Sequence, residues 1–234
     1  MKSLQEFDLF LLGGGGHARV LLDILSLIHP DWHIAILDRD ISRYGTQIMG
    51  AQIIGGDDLL EEISAMVPGA RFSVGIGTIG DSSPRKRLFD AGIALGLSPE
   101  TLIHPTAVVS KFARVDKGAQ LLPACIVNSG VSIGHNVIIN SGAVIEHDCV
   151  IKDHVHIASG ATLSGTVTIG ESAHVGAGAT IRQCLHIGNG AIVGVGSVVV
   201  KDVPDGDVVI GVPAKPLRKK NALGKENNPH HEEY

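Results

Sequence analysis

Aromatic side chains are nearly missing: Phe, Trp and Tyr make up 3% of 234 residues, although 44% of the chain is hydrophobic. A core without rings has to be packed from Val, Ile, Ala and Cys. A basic excess is missing too. The formal charge of −5 and a pI near 6.2 speak against a nucleic-acid partner, which needs a basic face. No apolar run approaches the ~20 residues that cross a bilayer. The first residues, MKSLQEFDLFLLGGGG, carry acids inside their apolar stretch and lack a secretory-signal layout. The expected partners therefore include neither membrane nor nucleic acid, and the expected location is cytoplasmic. Cys125, Cys149 and Cys184, an odd set in aliphatic surroundings, read as reduced core residues. What abounds is glycine, with 30 copies.

The glycines accompany a period. Every sixth residue from Ile103 through Ile133, Ile145 and Ile157 to Val199 is aliphatic, without an insertion. Two positions before each stands a mostly small residue, such as Ala107, Ala119, Cys125, Ala143 or Cys149. A helix repeats every 3.6 residues and cannot bury a six-residue pattern. A parallel β-helix can, with one short strand and one turn per hexad and three hexads per coil.

The residues before this tract alternate differently. FDLFLLGG reads as a strand, GGGGHARVLLDILSLI as a helix entered through a glycine turn, and HIAILDRD as a second strand ending at Asp38. RFSVGIG (71–77) reads as a later strand, and SSPRKRLFDAGIAL as a helix opened by Ser and Pro. Alternation of this kind implies a small parallel α/β sheet of Rossmann type. Gly13 to Ala18 fits G-x-G-x-x-A between strand and helix, where backbone N–H groups approach a phosphate. Asp38 would then face a ribose hydroxyl or a base edge, with Arg39 beside it. About a hundred residues precede the repeat, too few for two mononucleotide halves, so a single nucleotide-linked ligand is favoured over a dinucleotide.

GGGGHARVLLDIL, ILDRD, IGTIGDSSPRKR, VIEHDCVI and the closing VVIGVPAKPLRK (208–219) together resemble the hexapeptide-repeat sugar acetyltransferases. That family includes the bacillosamine and perosamine N-acetyltransferases and relatives described as sialic acid O-acetyltransferases. The resemblance runs from about residue 7 to 218. It implies an α/β domain over residues 1–100 that holds a nucleotide sugar, and a left-handed β-helix over 101–219 that binds acetyl-CoA. A polar tail, 220–234, is expected to be disordered. It further implies a homotrimer acetylating the 4-amino group of a UDP- or GDP-linked deoxysugar, for cell-surface polysaccharide.

Within the repeat, Glu146, His147 and Asp148 follow Ile145 and fall at a turn. Coils away by eighteen residues present Ser129 and Gly165, so His147 is not part of a histidine ladder. Deprotonating an ammonium at neutral pH suits an imidazole of ordinary pKa ~6.5, and a neighbouring carboxylate fixes its tautomer. The resemblance makes His147 the general base and Asp148 its partner, where many members carry Glu, with Glu146 a second candidate for orienting base or amine. It places Asn140 near the base and His156 near the thioester. Gly13, Gly15 and His17 would meet the nucleotide end, and Gly165, Gly176 and Lys215 coenzyme A. His156 lies half a coil from His147, on the other side of the prism, so the two meet only between chains; a plain stacked pair with His174 is the competing reading of His156. No metal is expected, because His154 and His156 alternate in direction along a strand. His135, His154 and His186 read as surface histidines. The rivals are an O-acetyltransferase for sialic acid or a similar sugar, and a non-catalytic sugar-nucleotide-binding scaffold.

Overall fold

Leu9–Leu12 (β1) is apolar at every position and buried at every position, as a central parallel strand demands. In the computed structural model, which describes residues 3–77 and 80–217, β1 lies between Ile34–Leu37 (β2) and Arg71–Val74 (β5), parallel to both. Helix α1 (Gly16–Ile28) follows β1 and turns Ala18, Leu21, Ile24 and Leu25 onto the sheet. A short antiparallel pair, Gln47–Ile48 (β3) and Ala51–Gly55 (β4), extends the β2 side. Helix α2 (Leu60–Met66) precedes β5, and α3 (Ser83–Ala94), with a Pro in its first turn, follows it. Ser98–Pro99 (β6) completes the six-stranded order β3-β4-β2-β1-β5-β6.

From Leu102 onward the chain is a left-handed parallel β-helix of two-residue strands. Up to Val199 each strand pairs with the one eighteen residues away, as Gln120–Leu121 does with Ile138–Ile139. The second residue points inward. Leu121, Ile139, Ile157, Ile145, Leu163 and Ile169 are all fully buried in one continuous core. At about 1.5–3 kcal/mol for each buried aliphatic side chain, this column is the main source of the solenoid's stability.

The corners repeat with equal regularity. From 118 to 196 one residue in each turn takes a left-handed backbone: glycine at 118, 130, 142 and 160, but Ala124, Asn136, Asp148 and His154 at the positions between. The three faces differ in surroundings. The first, carrying Leu102, Gln120, Ile138, His156 and His174 on its outside, lies under the α/β unit, so that Leu102 and Ile138 share a core with Leu21 and Leu25. The second (Val108 to Val198) and third (Arg114 to His186) carry their own strand ladders. Lys215–Pro216 closes the first face as an antiparallel partner of Val208–Ile210. The expected tail, 220–234, lies outside the described residues.

Two sequence expectations change here. Cys184 is exposed at a left-handed corner, and only Cys125 and Cys149 are buried. His154 is buried, not superficial, because α3 covers its corner: Phe89 meets its ring edge-on at 5.7 Å and Asn136 lies 2.9 Å from its Nδ1.

Candidate active site

Three consecutive residues leave the second face at Ile145 and form the corner toward the third. Glu146 Oε2 accepts a hydrogen bond from Asn128 Nδ2 of the preceding coil at 2.9 Å. His147 Nδ1 stands 2.9 Å from Asp148 Oδ2. A carboxylate only accepts, so in the neutral ring Nδ1 carries the proton and Nε2 keeps its lone pair. Glycines flank the pair on both sides. A Cβ on Gly165 would lie 2.5 Å from His147 Nε2, and one on Gly130 would press on Asp148 Oδ1. The imidazole and carboxylate thus lie flat across neighbouring coils that have no side chains there. Both remain about two-thirds exposed in the single chain. Cys149, next in sequence, points inward with its thiol held up by burial, so it supplies no nucleophile.

The second group gathers where the α/β unit meets the first face. Gly13 has a positive φ and leaves no space for a side chain against Ile76. Gly15 and Gly16, by contrast, open onto free space at the start of α1, whose N-terminus has no side-chain cap. Uncapped N–H groups facing open space suit an anionic oxygen. Asp38 holds this turn: Oδ2 accepts from Gly14 N at 2.9 Å and from Arg43 Nη1 at 2.8 Å, and Oδ1 accepts from Asp40 N at 2.9 Å. Of roughly four lone pairs on the carboxylate, one on Oδ1 is left for a ligand hydroxyl. Arg39, expected beside it, instead reaches Asp57 at 3.2 Å on the surface. Arg43 takes its place because the short 3₁₀ turn at Ile41–Arg43 folds the chain back toward Gly14, whose carbonyl it also binds at 2.9 Å.

His17 follows the glycines and crosses to the solenoid, with Nε2 2.7 Å from Gln120 Oε1. Desolvation holds its pKa below the usual histidine value, and the Arg85 charge adds to that. Two and three coils along the same column stand His156 and His174, buried, with ring centroids 5.0 Å apart and edge to face. Desolvation, with Arg85 again contributing, pushes His174 down to about 4.

The two groups do not meet within a chain. His147 sits on the corner between the second and third faces, and His156 on the first face across the prism. Asn140, expected near the base, lies at the corner beside His156, 3.2 Å from its Nε2, because its eighteen-residue register belongs to the first face. Gly165 serves as the floor under His147. Gly176 is required by the next coil, whose Val193 carbonyl would lie 2.7 Å from an added Cβ. Lys215 is exposed on the closing hairpin. Arg43, Gln120, Gly130 and Asn128 were absent from the sequence reading. Gly130 and Asn128 were reachable by subtracting eighteen from Asp148 and Glu146; Arg43 and Gln120 had no local signal. A pocket of about 350 Å³ between Leu22, Trp32 and Met49 opens near the other edge of the sheet, away from both groups.

Known proteins align with this arrangement. Residues 8–91 match the PglD N-terminal domain family, and residues 130–165 match the bacterial transferase hexapeptide family. The chain is 36% identical to the UDP-N-acetylbacillosamine N-acetyltransferase of Bacillus subtilis over 116 residues, 48% of this chain and 50% of that protein. The match therefore spans about half the length of that relative. Perosamine N-acetyltransferase from Caulobacter crescentus, solved as a histidine-to-asparagine variant with CoA and GDP-perosamine, superimposes with a TM-score of 0.82 at 35% identity, over 89% of this chain and 96% of that one. The acetyltransferase domain of PglB from Neisseria gonorrhoeae gives 0.82 at 35% identity, over 89% and 98%. Sharing both domains and this degree of identity over nearly the whole length, the chain belongs to the hexapeptide-repeat sugar acetyltransferase family of the perosamine and bacillosamine type.

Proposed function

We propose that this chain transfers the acetyl group of acetyl-CoA to the 4-amino group of a UDP- or GDP-linked amino-deoxysugar, in one direct step with His147 as general base. The observation that carries the reading is the His147–Asp148 pair, with Nδ1 bound to the carboxylate and Nε2 free to accept a proton. The amine nitrogen attacks the thioester carbonyl and its proton passes to Nε2. Asp148 stabilises the imidazolium so formed. Collapse of the tetrahedral adduct breaks the C–S bond, and the proton leaves with the coenzyme A thiolate. Glu146, oriented by Asn128, is placed to hold the substrate ammonium before transfer.

The glycine turn and His17 would bind the nucleotide sugar, with the remaining lone pair of Asp38 on a hydroxyl. His147 and His156 are separated by the width of the prism, which favours a homotrimer in which the base of one chain faces His156 and Asn140 of the next. The Caulobacter enzyme binds CoA and GDP-perosamine together, which supports the same pair of co-substrate classes here. Both classes are cytoplasmic metabolites, and the reading assigns the protein there.

The test is thiol release from acetyl-CoA with purified protein, offered UDP- and GDP-linked 4-amino-4,6-dideoxysugars and free sialic acid. Turnover with one nucleotide-linked amine supports the reading and identifies the base. Turnover on sialic acid alone replaces it with O-acetylation, and silence on all acceptors defeats it.

A further inference from the structure

Gln120 belongs to the solenoid yet makes every side-chain hydrogen bond with the α/β unit. Its Nε2 donates to the Val74 carbonyl at 2.9 Å and to Ser73 Oγ at 3.1 Å. Its Oε1 faces His17 Nε2 at 2.7 Å. The side chain is 1% exposed, so water does not share these contacts. A carbonyl oxygen accepts and never donates, so Val74 fixes which end of the amide is nitrogen. The oxygen is then committed to His17, and an oxygen there requires Nε2 to carry the proton.

We infer that Gln120 is a positioning residue that locks His17 as its Nε2–H tautomer, leaving Nδ1 as a hydrogen-bond acceptor for a ligand hydroxyl at the glycine turn. Nδ1 has no partner among the described residues and is not shut away from solvent. Phosphate oxygens, which also only accept, are repelled by that lone pair. They belong instead at the uncapped N–H groups of Gly15 and Gly16. The site is thereby divided: amides for the phosphates, His17 for an O–H of the ribose or the sugar. Because Gln120 stands on a solenoid coil, this selection operates only when the α/β unit is seated on the first face.

This inference rests on reading the glycine turn as the nucleotide-sugar site, and its first test does not depend on turnover. In protein labelled with ¹⁵N-histidine, the His17 resonances at neutral pH are expected to show a protonated Nε2 and a bare Nδ1. Gln120→Met, similar in size but without the amide, should lose that fixed pattern. Its KM for the nucleotide sugar should rise about tenfold, the worth of one buried hydrogen bond, while kcat stays near wild type. In a His17→Ala background the same Gln120→Met change should add nothing to KM. Nδ1–H or imidazolium in the wild-type spectrum overturns the inference, as does an additive double variant. Silence toward every sugar nucleotide would defeat the acetyltransferase reading, and the tautomer would still be decided by the spectrum.

Discussion

The ring of His147 lies across the backbone of Gly165, one coil away, at a distance that excludes a methyl group: an added Cβ would stand 2.5 Å from Nε2. Gly165→Ala is expected to turn the imidazole away without touching the core. A shift near one ångström at the base costs kcat on the order of 10²-fold. Thermal stability should barely change, because Gly165 has an ordinary negative φ. Near-normal kcat in this variant would show that the ring does not work from this position.

His147→Ala removes the base outright. The expected outcome is a loss of roughly 10²–10⁴ in kcat with KM for both substrates retained. Equilibrium binding of coenzyme A by calorimetry checks that the site survives. An unchanged kcat would end the base assignment.

Asp148 occupies a left-handed corner at φ 59 where glycine stands in many other turns. The left-handed backbone costs an L-residue about 1–2 kcal/mol, of which glycine's greater unfolded-state entropy takes back about 0.5–1. The contact with His147 is largely exposed and contributes little to folding. Asp148→Gly should therefore fold at least as stably as wild type while losing activity. A clearly lower midpoint in urea would mean that the carboxylate serves the fold, not the base.

Burial lowers His174 to about 4, and an unfolded histidine titrates near ~6.5. Between those values the unfolded chain binds a proton that the folded chain refuses. The neutral ring's contribution is complete above ~6.5 and declines as the pH falls toward about 4, by up to roughly 3 kcal/mol for this one group. His17 and His154 are shifted in the same direction and add to the slope. Replacing His174 by Ile, the residue already present one coil on at Ile192, should flatten the acid limb of the stability curve. Urea midpoints at neutral pH and near pH 5 measure it; equal losses in both proteins would contradict this account.

Cys125 is pushed up to about 11 by burial, so at neutral pH only Cys184 among the three cysteines is placed to react with iodoacetamide. Mass spectrometry should find one alkylated site in the native protein. Rapid modification of Cys125 would show that the solenoid opens.

The hexad was legible because burial every sixth residue admits one backbone solution, and the register of every coil followed from it. The dyad was legible through the family resemblance, and adjacency brings its two members into contact. β3 and β4 were not, although AQIIG alternates buried and half-buried as an edge-side strand does; the segment is short and its partner has two residues. Arg85 was the hardest to foresee. In PRKR it reads as a solvated charge, yet it is 1% exposed and reaches the carbonyls of Asn136, His154 and Val155 at a solenoid corner. Only the docking of α3 explains a buried guanidinium, and no local pattern encodes docking. Gln120 escaped for the same reason: its partners lie 46 or more residues away.

The eighteen-residue coil sets the grammar of permissible change in this chain. An insertion of eighteen residues adds a storey and leaves every face where it was. An insertion of six between Gln120 and His147 would carry the His147 corner round by a third of a turn, onto the edge where Asp153 now stands. An insertion of one would turn the aliphatic column outward. Growth of this scaffold by whole coils is therefore silent for the chemistry, whereas growth by single hexads reassigns which neighbour the base confronts.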